Sequence, residues 1–145
     1  MAVIGFDHVG VVVDDLDAAV AFFVALGFER EGSMSVGGDW VDRVLGISGV
    51  ESDVIYLRAP GVATALELSR FRSPAASSDP NAGASNVHGY RHIALPVDDI
   101  ETAVRIVRSA GYETVSDIVD YEDVYRLVYV RGPEGLIVEL AERVG

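Results

Sequence analysis

The hydrophobic positions of the chain follow one pattern twice: a run of β-branched residues, then a segment with apolar residues three and four positions apart. The β-branched runs indicate strands, and the second spacing is typical of an amphipathic helix. In the two halves the strand and helix segments are VIGFDHVGVVV with LDAAVAFFVAL, and HIALPV with IETAVRIVRSA. Each half is therefore predicted to begin with a strand and a helix.

Both predicted helices have start and stop signals. DDLD and DDIE supply an aspartate for the N-cap and further acidic side chains for the first turn, where they favour the helix dipole. Gly27 and Gly111 follow the last periodic residue, where a residue in the left-handed conformation commonly ends a helix. The helices are expected between these signals.

Three strand-like runs follow each helix. They are FEREGSMSV, SDVIYLRAP and ATALELSRF in the first half, and YETVSDIVD, VYRLVYVRG and GLIVELAE in the second. The first half also contains GGDWVDRVLGISGVE, which predicts an additional short amphipathic helix. The expected fold class is α+β, with two tandem βαβββ modules; if their curved sheets surround a central cavity, side chains from both modules can converge inside it.

The two halves look like copies of one module. Superposing His8 on His92 aligns residues 6–29 with residues 90–113 and also matches Gly27 with Gly111. A stretch rich in Pro, Gly, Ser and Ala separates the copies, which is typical of a linker. We assign the modules to residues 1–72 and 90–145, with residues 73–89 as the linker, and expect one domain overall.

Two glutamates lie in strand-like runs with an apolar residue on either side, Glu67 in ALELS and Glu139 in IVELA. Alternate side chains of a strand face opposite ways, so each glutamate is predicted on the face away from its apolar neighbours. A solvated sheet face would explain one such glutamate. Two glutamates at equivalent positions, together with the matched His8 and His92, favour a shared function.

Imidazoles and carboxylates that converge without a cation would be costly, because like charges repel and burial penalises them. A divalent ion removes that cost, and a set of nitrogen and oxygen ligands suits Zn, Ni, Mn, Co or Fe. We therefore expect one divalent metal ion held by four ligands, which are His8, Glu67, His92 and Glu139.

The amino-acid composition limits which classes of partner the protein is expected to bind. The formal net charge is −12, with 23 acidic and 11 basic residues, which argues against nucleic acid and anionic membranes as partners. The chain has no cysteine, so disulfides and thiolate metal sites are excluded. We find no secretion signal and no apolar run near the roughly 20 residues that span a bilayer, and we expect a cytoplasmic protein.

The doubled module, with His near the start and Glu near the end of each copy, resembles the vicinal oxygen chelate superfamily, which includes glyoxalase I and the bleomycin resistance proteins. The motifs that carry the resemblance are FDHVGVVVDDLDAAVAFFVALGFE, TALELSRF, YRHIALPVDDIETA and RGPEGLIVELAE. The resemblance implies a homodimer, a small-molecule substrate and a bound metal ion. The ligand pattern of glyoxalase I falls on His8, Glu67, His92 and Glu139.

Several activities are consistent with that resemblance. The first is a glyoxalase I-like lyase or isomerase that acts on a small oxygenated carbonyl compound through a metal-stabilised enediolate, with Glu67 or Glu139 as the catalytic base. A metal-free protein that sequesters an antibiotic or metabolite, as in bleomycin resistance, is the second, and an extradiol-type dioxygenase is the third. The complete ligand set favours an enzyme, since sequestration needs no metal ligands.

A few other side chains are candidates for the pocket. We expect Trp40 and Arg70 to bind substrate, although an exposed tryptophan and a surface arginine would have the same sequence signature. Arg126 would suit a substrate carboxylate, but on so acidic a chain pairing with nearby Asp or Glu is the expected alternative. Tyr129 is interpreted as core or rim packing.

Overall fold

Two separate sheets, one in each half of the chain, carry most of the secondary structure of the computed structural model, which describes residues 2–145. The chain divides into two compact units, a first that ends at Ser78 and a second, Asp79–Gly145. No helix within residues 2–145 is both long enough and apolar enough to cross a membrane.

The first unit has the order β1, α1, β2, α2, β3, β4. The bounds of these elements are β1 His8–Val12, α1 Leu16–Ala25, β2 Glu29–Gly37, α2 Asp39–Leu45, β3 Glu51–Arg58 and β4 Ala65–Ser73. In the sheet the strand order is β1-β4-β3-β2, with β1 and β4 parallel and the other neighbours antiparallel. This is the predicted βαβββ module, and α2 is the predicted additional helix.

The second unit repeats this order without a counterpart of α2. Its elements are β5 His92–Val97, α3 Ile100–Ser109, β6 Glu113–Thr114, β7 Val119–Tyr121, β8 Tyr125–Arg131, a 3-10 turn Pro133–Gly135 and β9 Ile137–Arg143. The sheet order is β5-β9-β8-β6, with β7 also paired to β8, and β5 lies parallel to β9. The α+β class and the doubled module are confirmed.

The run YETVSDIVD, predicted as one strand, forms the two short strands β6 and β7 instead. Between them the hydroxyl of Ser116 donates to the carbonyl of Asp117, 2.9 Å away. Such local bonds between a side chain and the backbone compete with the hydrogen bonds of a sheet. The polar Ser-Asp pair therefore interrupts a segment whose β-branched residues favour a strand.

The helix ends lie where the sequence signals place them. Asp15 caps α1 by accepting a hydrogen bond from the backbone N–H of Ala18, and Asp99 caps α3 by accepting one from Thr102. The hydrogen bonds that Thr102 donates lower the pKa of the Asp99 carboxyl. Gly27 and Gly111 follow the two helices with φ of 108° and 93°, in the region that glycine adopts without strain.

In each unit the helix covers one face of the sheet, and the core lies between them. Phe22 and Phe23 of α1 are buried, with their rings 5.1 Å apart in an edge-to-face arrangement. From β4 the core receives Leu66 and Leu68, which flank Glu67; in the second unit Val138 and Leu140 flank Glu139 in the same way. The predicted alternation about both glutamates is confirmed.

Replacing Phe23 with alanine should destabilise the protein strongly, because the side chain is fully buried and also contacts Phe28, 5.4 Å away between ring centroids. We expect the free energy of unfolding to fall by about 3–5 kcal/mol, which is typical of a buried phenylalanine truncated to alanine. Urea denaturation followed by circular dichroism measures the change. The control is Val24→Ala at the next, exposed position of α1, with an expected effect below about 1 kcal/mol; equal losses for the two variants would contradict the assigned core face.

Candidate functional site

Parallel pairing of β1 with β4 brings a histidine to a glutamate in the first unit. His8 is opposite Ala65 and Gly10 is opposite Glu67, so the imidazole lies diagonally across from the carboxylate on the same face of the sheet. Gly10 has no side chain to occupy the space beside Glu67, and a Cβ built there meets nothing within 4 Å. Nε2 of His8 lies 3.2 Å from Oε2 of Glu67, with the side chains 38% and 24% exposed.

The second unit repeats this arrangement through β5 and β9. His92 is opposite Ile137, Ala94 is opposite Glu139, and the small alanine takes the place of Gly10. Nε2 of His92 lies 3.3 Å from Oε2 of Glu139, with exposures of 38% and 19%. Each unit therefore contributes one half-exposed imidazole and one partly buried carboxylate.

The chemistry of the first pair fits a cation. Oδ2 of Asp7 lies 2.7 Å from Nδ1 of His8 and accepts a hydrogen bond when Nδ1 carries a proton, in the tautomer that leaves the Nε2 lone pair directed at Glu67. A lone pair and a carboxylate oxygen at 3.2 Å need a shared proton or a metal ion between them. Ligands about 2.0–2.2 Å from one ion, at tetrahedral or octahedral angles, lie about 2.8–3.6 Å apart. Both pairs have this spacing.

A tyrosine lies against both members of the first pair. The hydroxyl of Tyr56, which is opposite Glu67 in the β3–β4 register, donates to Oε2 of Glu67 at 2.6 Å. Its ring meets the His8 ring edge to face, with the centroids 6.0 Å apart. The hydrogen bond to Glu67, followed by burial and the negative charges of Glu67 and Asp7, raises the pKa of Tyr56 to about 12.

The second unit has a tyrosine at the corresponding strand position. Tyr129 is opposite Glu139, but its hydroxyl lies 3.5 Å from Nδ1 of His92, and the two ring centroids are 5.1 Å apart. Sequence reasoning assigned Tyr129 to packing and overlooked Tyr56. The signal was present in the similar runs IYLRAP and VYVRGP, which place the two tyrosines and the two arginines that follow them at equivalent positions of the modules.

The two predicted substrate-binding residues lie away from the first pair. Trp40 is exposed on α2, which packs beside β2, three strands from β1 or about 14 Å at the usual strand spacing. Arg70 is exposed and follows Glu67 by three positions on β4, so alternation directs it to the opposite face of the sheet. Over residues 2–145, no three histidine or acidic side chains form a metal-binding group.

Arg126 is occupied by acidic neighbours. Its guanidinium lies 2.6 Å from Glu101, 3.4 Å from Asp120 and 3.6 Å from Glu142. The prediction that Arg126 pairs with nearby acids is confirmed, and these ion pairs explain the residue without a substrate carboxylate.

Comparisons with known proteins agree with this architecture. The family model described as Glyoxalase/Bleomycin resistance protein/Dioxygenase superfamily matches residues 5–140. A glyoxalase family protein from Bacillus cereus is 35% identical, with a TM-score of 0.95 over 100% of this chain and 97% of that one. A search of curated protein sequences gives no significant match.

More distant structures share the fold alone. A glyoxalase I variant from Zea mays is 17% identical with a TM-score of 0.69, and the match covers 96% of this chain and 47% of that one. The antibiotic-binding protein TnmS3 from Streptomyces sp. CB03234 is 18% identical with a TM-score of 0.63, over 99% of this chain and 98% of that one. One fold thus serves proteins with different functions.

The raised pKa of Tyr56 is measurable in chelator-treated protein. The difference in tyrosinate absorbance between the wild-type protein and Tyr56→Phe should titrate near pH 12, rather than near the ordinary value of 10. In Glu67→Gln this transition should move to lower pH, because the carboxylate charge is gone. A difference curve centred near pH 10 in the wild-type protein would contradict the hydrogen bond.

The same shift makes stability depend on pH at high pH. The pKa of Tyr56 is higher in the folded state than in the unfolded state, so its contribution is fully present below pH 10 and is lost as the pH rises toward 12. Tyr56→Phe should therefore lose less stability than the wild-type protein between pH 10 and 12, as measured by urea denaturation at each pH.

Proposed function

The chain belongs to the Glyoxalase/Bleomycin resistance protein/Dioxygenase superfamily, and we propose that within it the protein is a metal-dependent lyase or isomerase of the glyoxalase I type. Its substrate is a small oxygenated carbonyl compound. The observation that carries the proposal is the matched spacing of the two pairs, 3.2 Å between Nε2 of His8 and Oε2 of Glu67 and 3.3 Å between Nε2 of His92 and Oε2 of Glu139.

The proposed cofactor is one divalent ion with two ligands from each unit. Either one chain or two copies of it supply both pairs, and the homodimer implied by the family resemblance stays a prediction. Two imidazole nitrogens and two carboxylate oxygens suit Zn, Ni, Mn, Co or Fe, and an octahedral ion keeps two positions for substrate. Nε2 of each histidine and Oε2 of each glutamate are the donor atoms in this proposal.

The chemistry divides between the ion and the carboxylates. When bound, the ion is a Lewis acid that polarises a substrate carbonyl and makes the adjacent C–H bond more acidic. Glu67 or Glu139 accepts that proton and returns it to the neighbouring carbon, which isomerises the substrate without an external oxidant.

The number of metal ligands also distinguishes the proposed enzyme from the alternative functions. An extradiol dioxygenase needs two histidines and one glutamate, so the fourth ligand favours proton transfer. A metal-free binding protein is the second candidate, and its support is the net charge of −12, which attracts a cationic antibiotic. That function gives the matched pairs no role.

Metal content tests the ligand set directly. Protein purified without a metal-affinity tag should contain about one divalent ion per chain by mass spectrometry. The double variant His8→Ala, Glu139→Ala removes one donor from each unit and should contain none. The control is His88→Ala, which removes the remaining histidine, an exposed residue outside both pairs, and should retain the ion. No ion after incubation with Ni, Zn, Mn or Co would refute the enzyme proposal and favour the binding protein.

Proton transfer gives a second test that needs no knowledge of the product. Small enolisable 2-hydroxy and 2-oxo carbonyl compounds incubated with metal-loaded protein in D₂O should exchange hydrogen for deuterium beside the carbonyl, as followed by NMR. Exchange should fall at least about 100-fold in Glu67→Gln or Glu139→Gln, depending on which carboxylate is the base. Unchanged exchange in both variants would exclude these glutamates as bases.

A further inference from the structure

The two His–Glu pairs are alike in spacing but differ in what supports them. In the first unit a carboxylate of Asp7 holds Nδ1 of His8 at 2.7 Å. The repeat that matches His8 with His92 puts Arg91 at the position of Asp7. The Arg91 guanidinium is directed to the carbonyl of Tyr90, 2.9 Å away, and to Asp79, 3.4 Å away. A cationic residue thus replaces the acid beside the second histidine.

The tyrosines differ as well, although they occupy equivalent strand positions. Tyr56 donates a 2.6 Å hydrogen bond to Oε2 of Glu67, the oxygen that faces His8. The Tyr129 hydroxyl is 3.5 Å from Nδ1 of His92, a distance at which a hydrogen bond is weak. Both ligands of the first pair therefore make a short hydrogen bond to a neighbouring side chain, whereas the outer contact described for the second pair is the 3.5 Å one between Tyr129 and His92.

Such outer contacts change how strongly a pair binds a cation. An imidazole whose Nδ1–H donates to a carboxylate is fixed in the tautomer that exposes Nε2, and it becomes a more basic ligand. A carboxylate held by a hydroxyl keeps its orientation and loses less freedom on binding. The negative charge of Asp7 also attracts a divalent ion, whereas the charge of Arg91 opposes it.

We propose that Asp7 and Tyr56 are positioning residues that make the first-unit pair the primary anchor for the divalent cation. The second-unit pair is the weaker site for the same cation. This inference rests on the proposed function, because it concerns the same four ligands, but it adds two residues and an unequal division of affinity between the modules.

The test measures Ni²⁺ affinity by isothermal titration calorimetry on full-length protein that has been stripped of metal. Asp7→Asn, which removes the negative charge behind His8, and Tyr56→Phe, which removes the hydroxyl bound to Glu67, should each weaken Ni²⁺ binding by about 10-fold or more, as expected when an outer partner of a metal ligand is lost or weakened. Tyr129→Phe is the matched control and should change the affinity less than about threefold. The Asp7 side chain is 93% exposed, so its replacement leaves the packing intact.

Two further variants compare the Ni²⁺ affinities of the two His–Glu pairs. A protein that retains only the first pair, His92→Ala with Glu139→Gln, should bind Ni²⁺ more tightly than one that retains only the second pair, His8→Ala with Glu67→Gln. The visible spectrum of bound Co²⁺ should change in Tyr56→Phe and stay unchanged in Tyr129→Phe, which a purely structural role of Tyr56 would not produce. Asp7→Glu should restore part of the affinity lost in Asp7→Asn.

The outcomes distinguish this inference from the function on which it rests. If wild-type protein binds no Ni²⁺, the proposed function fails and the inference fails with it. If wild-type protein binds Ni²⁺ and both Asp7→Asn and Tyr56→Phe retain its affinity, the inference alone is overturned. Equal binding by the two single-pair proteins would also overturn it.

Discussion

Parallel pairing of the first and last strands is the constraint on which each module depends. A βαβββ chain returns its last strand to the side of its first, so that residues at opposite ends of the module become neighbours. Because β1 and β4 run in the same direction, His8 and Glu67 reach one face in a fixed register, and β5 and β9 do the same for His92 and Glu139. A shift of one residue would move each glutamate into the core.

The cost of burying charge explains why the polar groups lie on the face of each sheet that is turned away from its helix. The helix of each unit seals one side of its sheet against apolar side chains such as Leu66 and Leu68, where an unpaired carboxylate would cost several kcal/mol. On the other face Glu67 finds an imidazole and a tyrosine hydroxyl. Core formation and the assembly of a polar pair thus follow from the same alternation along one strand.

The sequence predicts those features that depend on local chemistry. Asp15, Asp99 and the glycines after the helices mark the helix ends because capping involves residues only a few positions apart. Alternation around Glu67 is equally local. The contact of Tyr56 with Glu67 was missed because it depends on which residue of β3 lies opposite Glu67, and sequence periodicity leaves the register between strands undetermined. The prediction of one continuous strand over YETVSDIVD was wrong because the segment between the two short strands contains polar residues whose side chains bond to the backbone, as Ser116 does to Asp117.

Duplication of the module gives the two His–Glu pairs the same geometry without requiring the same affinity for a cation. In the proposed function the affinity for the ion depends on all four ligands together, so one pair can hold the ion tightly while the other holds it less tightly. The contrast between Asp7 and Arg91 fits this, since the paired atoms lie 3.2 Å apart in the first unit and 3.3 Å apart in the second, while the charge and the hydrogen bond behind the histidine differ. In the proposed function a weaker second pair has a chemical use, because a carboxylate that binds the ion loosely is free to take a proton from a substrate. Unequal support would then let one pair anchor the ion while the other takes part in catalysis.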